Sequence, residues 1–198
     1  MVEHIIIAGA GGQGIMLLGK VLAEAAMRED KYVTWLPSYG AEVRGGTAHC
    51  MVVISDAEIG SPYIKEADTL IIMNGPSFKK FKDRIKNKGI LIVNSSLARD
   101  VKDIDKPIPC PALARKSGAC TQERGKRIHM LKYPFTDLAV ELGNIRIANM
   151  IALGCFISRK NIVDVKSVSQ AIRAIAPEDK KGLIEINQKA LLEGTKLK

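Results

Sequence analysis

Two glycine-rich stretches hold the residues whose types and spacing could do chemistry. Gly9-Ala10-Gly11-Gly12-Gln13-Gly14 satisfies G-x-G-x-x-G, with a β-branched run before it and helix-forming residues after it. In that setting glycines permit a tight turn and close backbone approach, and the free N–H groups opening the next helix attract an anion. Three uses fit these residues: tight packing or an interface, a phosphate or other anion site, or a full dinucleotide site. The third lacks a part. It needs an acid near the end of the second strand to hold the ribose hydroxyls. Here that strand ends Thr34-Trp35-Leu36-Pro37, with Glu29 and Asp30 before it and Glu42 beyond a proline and a further loop.

The second stretch runs from Pro37 to Thr47 and places Ser38, Tyr39, Glu42, Arg44, Gly45, Gly46 and Thr47 together. It follows the second strand, so in an α/β sheet it belongs at the carboxyl edge beside the first glycine turn. A solvated spacer has little use for so many different hydrogen-bonding groups next to flexible backbone. Arg44 could pair with Glu42 or clamp an anion with its forked guanidinium. A plain surface loop with a local ion pair is the alternative use.

Other chemistry finds no foothold, and no catalytic residue or metal ligand is expected in this chain. Cys50, Cys110, Cys120 and Cys155 form no C-x-x-C pair, so zinc or iron–sulfur spacing is absent and reduced thiols are expected. His4, His49 and His129 are scattered, with no carboxylate close in sequence, and read as structural histidines. Ser38 does not sit in a G-x-S-x-G elbow.

The elements that must position the two loops follow from hydrophobic pattern. His4 to Ala8 reads as a buried first strand, Gln13 to Arg28 as a helix, Lys31 to Leu36 as a strand closed by Pro37, and Thr47 to Ser55 as a third strand. Thr69 to Met73 and Ile90 to Asn94 are two more short strands, with a helix over Pro76 to Asn87 between them. Strand–helix alternation predicts an α/β, Rossmann-like fold with a mostly parallel sheet flanked by helices. The last third, 145–198, reads as helical. Phe135 to Glu141 forms a short helix before it, Ile145 to Arg159 a nearly all-apolar one, Asp164 or Ser167 caps the next, and Pro177 opens a last helix ending near Gly194.

At 198 residues with 46% hydrophobic and 26% charged residues, the chain has globular composition and is read as one domain over 1–198. The net charge of +9 favours acidic partners, but only 5% of residues are aromatic, so stacked bases are not expected and neither is nucleic acid. Residues 105–132 fit poorly: they carry Arg115, Lys116, Arg124, Lys126 and Arg127 against Asp105 and Glu123. They read as a basic surface insertion, or more sharply as a docking surface for an acidic partner. No apolar run approaches the ~20 residues of a membrane span, and no basic leader precedes Ile5-Ile6-Ile7. The expected location is therefore cytoplasmic.

Taken together the motifs resemble one family. GxGGQG after the first strand and SYGxExRGG leading into a strand are similar to the gamma subunit of 2-oxoacid:ferredoxin oxidoreductases. So are Ser55 to Pro62, Tyr133 to Ala139, Glu141-Leu-Gly-Asn144 and Asn149 to Gly154. The Ser-Tyr-Gly and Arg-Gly-Gly forms are more similar to the 2-oxoglutarate and 2-oxoisovalerate members than to the pyruvate ones. The basic 105–132 segment departs from the pattern. The resemblance implies a subunit of an enzyme that oxidatively decarboxylates a 2-oxoacid to an acyl-CoA and passes electrons to ferredoxin. It implies that thiamine diphosphate, Mg and iron–sulfur clusters belong to alpha, beta and, in some assemblies, ferredoxin-like delta subunits. Coenzyme A is then a co-substrate of the complex, and this chain alone holds no cofactor. The glycine turn (Gly9, Gly11, Gly12, Gln13, Gly14) becomes an anion or interface loop. Ser38 to Thr47 becomes a loop near the active centre. A free-standing dinucleotide oxidoreductase and a non-enzymatic nucleotide- or anion-binding regulator remain as competing classes.

Overall fold

Val2–Ala10 (β1) has Ile5, Ile6, Ile7 and Ala8 at zero exposure. Side chains alternate across a strand, so Ile5 and Ile7 enter one core cluster and Ile6 and Ala8 another. A strand buried on both faces reads as an unbroken apolar run, which is why β1 is plain in the sequence. The computed structural model describes residues 1–38, 47–98, 108, 126–176 and 182–197.

Six strands form one sheet: β1, Tyr32–Ser38 (β2), Thr47–Ser55 (β3), Ala67–Ile72 (β4), Ile85–Asn94 (β5) and His129–Tyr133 (β6). Their order is β2-β3-β1-β4-β5-β6. The β1–β4, β4–β5 and β5–β6 pairs are parallel, whereas β3 is antiparallel to both β1 and β2. Every strand except β3 thus runs the same way, which gives the mostly parallel α/β sheet the sequence predicts.

Ile15–Met27 (α1), Phe135–Glu141 (α3), Ala148–Lys160 (α4), Val165–Ile175 (α5) and Gly182–Lys196 (α6) pack on the face of Ile5 and Ile7. The opposite face carries Gly75–Phe81 (α2), whose Phe78 and Phe81 join Ile64, Ala98 and Ile108. Asn74 caps α2 by accepting from Ser77 N–H at 3.0 Å, and Asp164 caps α5 by accepting from Lys166 N–H at 2.7 Å, each satisfying an orphan donor. No helix among the described residues is long and apolar enough to cross a membrane.

Several boundaries differ from the sequence expectation for identifiable reasons. β2 runs through Pro37 to Ser38 because it is an edge strand, where a missing N–H costs no ladder bond. The expected Pro76 to Asn87 helix stops at Phe81 and continues as one tight turn, Lys82–Arg84, before β5 begins. β6 is an addition: only Leu131 of its five residues is buried, too weak an alternation to notice. It takes in residues 129–132 of the segment expected to be an insertion, and Lys126 of that segment is buried. Residues 99–107 and 109–125 lie outside the described residues.

α4 and α6 cross closely through Gly154 and Gly194. A Cβ on Gly154 would overlap the Leu191 carbonyl oxygen, and one on Gly194 the Ile151 carbonyl oxygen. Backbone cannot yield there as a flexible side chain could, so overpacking is the expected cost, about 1–3 kcal/mol. Gly154→Ala should lower the urea midpoint with the slope unchanged, while Gly60→Ala, which meets open space, should not. Equal midpoints for the two variants would show that the crossing is not tight.

Candidate anion and interface site

The glycine turn joins β1 to α1 at the carboxyl edge of the sheet, and its residues divide by what surrounds them. At Gly9 a Cβ would meet Gln13 Oε1 at 2.6 Å, Ile15 Cδ1 at 2.7 Å and Met73 Cβ at 3.0 Å, so this glycine serves packing. Gly14 has φ +69°, the left-handed region, and a Cβ there would overlap Asn149 Nδ2. Asn149, 1% exposed, donates to the Gly14 carbonyl at 3.1 Å and accepts from Met150 N–H at 2.9 Å. Gln13 is the clasp: Oε1 accepts from Ala10 N–H at 2.6 Å and Nε2 donates to the Met73 carbonyl at 3.3 Å. Gly11 and Gly12 face outward, and a Cβ at Gly12 would meet nothing within 4 Å. Gly14 opens α1 without a side-chain cap and no acid sits in the first turn. No side chain therefore caps the first N–H groups of that helix, whose positive end favours negative charge.

A pocket of about 190 Å³ adjoins the turn, lined by Gly12, Gln13, Met73, Thr136, Ile145 and Arg146 among others. It lies at the carboxyl ends of β1 and β4. The chain leaves β1 through α1 toward one side of the sheet and leaves β4 through α2 toward the other. That reversal makes the crevice a topological switch point, where ligands of α/β sheets bind. Its floor is held by Asn94, fully buried, which donates to the Met73 carbonyl at 3.3 Å and to Thr136 Oγ1 at 2.8 Å. Arg146 is exposed at the rim with no ion pair among the described residues. The pocket lining combines one cationic side chain, Arg146, with apolar walls of Met73, Leu97, Ile145 and Ala148.

The second loop is described only at its ends. Ser38 closes β2 opposite His49, and Thr47 opens β3 opposite Ala10. The Thr47 end therefore stands beside the glycine turn and the Ser38 end one strand further out, at the same edge of the sheet, and Lys80 Nζ donates to Thr47 Oγ1 at 2.9 Å. Tyr39, Glu42, Arg44, Gly45 and Gly46 lie outside the described residues.

The strand order also accounts for the missing ribose acid. In a dinucleotide fold the second strand lies directly beside the first. Here β3 stands between them, and with strands about 4.8 Å apart the end of β2 is about 10 Å from β1. The place next to the turn is filled by Thr47, at the start of a strand running the other way.

The remaining polar and nucleophilic groups serve the fold. Burial pushes the Cys50 thiol up to about 12 and the Cys155 thiol up to about 11, so neither is a thiolate at neutral pH. His4 Nδ1 lies 2.9 Å from Asp68 Oδ2, which Lys86 also holds, at the amino edge far along β1 from the turn. Burial and then the charges of Lys80 and Arg84 lower the pKa of His49, whose ring packs 4.8 Å from Phe81. Among the described residues no three His, Cys, Asp or Glu side chains cluster as metal ligands would. The sequence reading singled out Gln13 and Gly14, but it gave no role to Asn149, which holds the Gly14 carbonyl, or to Asn94, Thr136 and Arg146 around the pocket. A lone Asn inside an all-apolar helix was the available signal for Asn149.

Turn, pocket and sheet define an α/β protein with a Rossmann-like glycine turn and a strand order that is not that of the dinucleotide folds. Residues 4–197 match the pyruvate ferredoxin/flavodoxin oxidoreductase family, and the chain belongs to it. It is 33% identical over 198 residues to the 2-oxoglutarate synthase subunit KorC of Methanocaldococcus jannaschii, covering 98% of this chain and 92% of that one. It is 31% identical over 193 residues to the ketoisovalerate oxidoreductase subunit VorA of Methanothermobacter thermautotrophicus. That match covers 96% of this chain but 35% of VorA, so the chain spans about a third of that relative. The crystal structure of the keto/oxoacid ferredoxin oxidoreductase gamma subunit from Geobacter sulfurreducens PCA is similar at a TM-score of 0.77 and 25% identity. It covers 100% of this chain and 96% of the other.

NAD binding should accordingly be weak. A ribose left without its acid loses a charge-assisted bond worth roughly 1.5–3 kcal/mol, about tenfold or more in affinity. Calorimetry on the chain should give no micromolar, stoichiometric NAD or FAD binding. Such binding, abolished by Gly11→Val, would instead establish a dinucleotide enzyme.

Proposed function

We propose that this chain is the gamma subunit of a 2-oxoacid:ferredoxin oxidoreductase of the 2-oxoglutarate type. The end-to-end match with a 2-oxoglutarate synthase subunit of nearly the same length carries this reading. In the reaction the bond from the carbonyl carbon to the carboxylate breaks and carbon dioxide leaves. A C–S bond forms to coenzyme A, and two electrons pass to ferredoxin. Thiamine diphosphate with Mg and iron–sulfur clusters supply that chemistry from alpha and beta subunits, with a ferredoxin-like delta subunit in some assemblies. The similarity to VorA, named for ketoisovalerate, supports a branched 2-oxoacid as the second reading. Turnover of 2-oxoglutarate against 2-oxoisovalerate by the purified complex separates the two.

Within that assembly we assign two duties to this chain. The open start of α1 with Arg146 at the pocket rim suits the phosphates of coenzyme A. The Ser38 to Thr47 loop, rooted beside it, is a contact with the partner subunits near the active centre. Neither duty requires this chain to hold a cofactor.

Two outcomes follow. The chain alone, given thiamine diphosphate, 2-oxoglutarate and coenzyme A, should not reduce a viologen dye, because it offers electrons no carrier. Reduction by the purified chain would end the subunit reading. Arg44→Ala should leave the urea midpoint of the isolated chain unchanged yet impair assembly or turnover, since loss of a buried, paired Arg costs about 2–5 kcal/mol at an interface. Wild-type assembly together with wild-type turnover would remove the loop from the interface.

A further inference from the structure

The net positive charge of this chain is concentrated in one stretch. Between Lys79 and Lys132 lie fifteen of the thirty Lys and Arg residues and five of the twenty-one acids, a net +10. All the other residues together sum to −1. The described part of the stretch holds Lys79, Lys80, Lys82, Arg84, Lys86, Lys88, Lys126, Arg127 and Lys132, with Asp83 the one acid among the described residues. α2, the turn after it and Lys126 belong to the face opposite the five-helix layer.

These cations divide by what holds them. Lys86 is spent on Asp68 at 2.8 Å. Arg84 donates to the Ile64 and Lys65 carbonyls and lies over the Tyr63 ring. Lys126 is buried beneath α2, donating to the Asp83 carbonyl at 2.8 Å. Lys79, Lys80 and Lys82 are different. None has an ion pair among the described residues, and Lys79 and Lys80 are exposed. Lys80 and Lys82 are steadied over the rims of Phe81 and Phe78 at 5.7 and 5.9 Å. Three ammonium groups within four residues lie inside about one Debye length, so their fields add.

We propose that the α2 face, centred on Lys79, Lys80 and Lys82, is a docking surface for an acidic protein. Charge complementarity selects the sign of the partner, and the shape of the face selects its class. Stacking of successive bases requires a row of exposed rings, and here Phe78 and Phe81 are buried, which leaves Tyr63, 61% exposed with the Arg84 guanidinium 5.6 Å over its ring, as a single ring and not a row. Reading a duplex groove requires a projecting helix or ribbon, whereas α2 is seven residues laid flat on the sheet. Rim lysines of this kind set association rate and salt dependence. The surface is separate from the pocket at Gly12 and Arg146, so the proposal stands whichever oxoacid the enzyme uses.

The test compares two charge reversals of equal size in the full chain. One is Lys79→Glu, Lys80→Glu and Lys82→Glu together; the other is Lys20→Glu, Lys166→Glu and Lys189→Glu on exposed positions of the helical layer. Fluorescence anisotropy follows binding to labelled poly-L-glutamate and to labelled 20-nucleotide single- and double-stranded DNA from 20 to 300 mM salt, conditions on the order of the screening range. The expected result is salt-dependent polyglutamate binding, weakened about tenfold or more by the α2 reversal and less than about twofold by the other, with DNA bound more weakly. Equal losses in both reversals would show that net charge alone is responsible and overturn the surface. DNA bound more tightly than polyglutamate, and lost in the α2 reversal, would overturn the acidic-protein reading in favour of nucleic acid. Urea midpoints of both variants matching the parent exclude misfolding as the cause.

Discussion

A single buried amide decides how the two halves of this molecule meet. Asn149 is sealed from water, so each polar atom it carries must find a partner inside the protein or cost about 1–3 kcal/mol. It spends its Nδ2 on the Gly14 carbonyl and its Oδ1 on the N–H of Met150. The first bond sews the helical C-terminal layer to the turn after β1. It also fills the space where a side chain on residue 14 would go, and the left-handed φ there independently demands glycine. Gln13 secures the turn from the other side, to the ends of β1 and β4. What looks in sequence like a ligand cradle is thus partly internal wiring, and of the turn only Gly11 and Gly12 are exposed.

The reversed strand β3 then sets what that outward part can bind. By entering between β1 and β2 it moves the second strand away from the glycine turn and brings Thr47 beside it. The ribose-binding half of a dinucleotide site has no place to stand, while the start of α1 carries no side-chain cap and no acid in its first turn. The same reversal puts both ends of the Ser38 to Thr47 loop at the carboxyl edge, because β2 ends there and β3 begins there. Glycine turn, second loop and pocket share one edge as a consequence of topology.

Much of this was legible in the sequence where burial is extreme. β1, α1, β3 and α4 have strong periodicity or long apolar runs, and the first glycine turn lies between two of them. The strand direction of β3 was not legible, since an apolar nonamer reads the same either way. β6 was missed because one buried residue in five leaves no period to detect. The site was read as two loops. Its other wall, built by Asn94, Thr136 and Arg146, comes from chain far beyond both loops, and no local pattern signals a partner at that separation.

Charge shows the same division between inward and outward use. Lys126 looks in sequence like one more member of a solvated basic run, yet its side chain is 3% exposed. An ammonium taken from water without partners costs several kcal/mol. Lys126 avoids that by donating to the carbonyls of Asp83 and Ile85, with Glu66 at 3.4 Å. Its backbone N–H meanwhile bonds the Ile108 carbonyl at 2.7 Å, and Ile108 is buried among Phe78, Phe81 and Ala98. The smaller core, covered among the described residues by one short helix, is therefore closed in part by a cation pointing inward. Lys79 and Lys80 on α2 are exposed instead, and Lys80 holds only the Thr47 hydroxyl, at 2.9 Å. A basic composition cannot distinguish these two kinds of lysine; the partner atoms do.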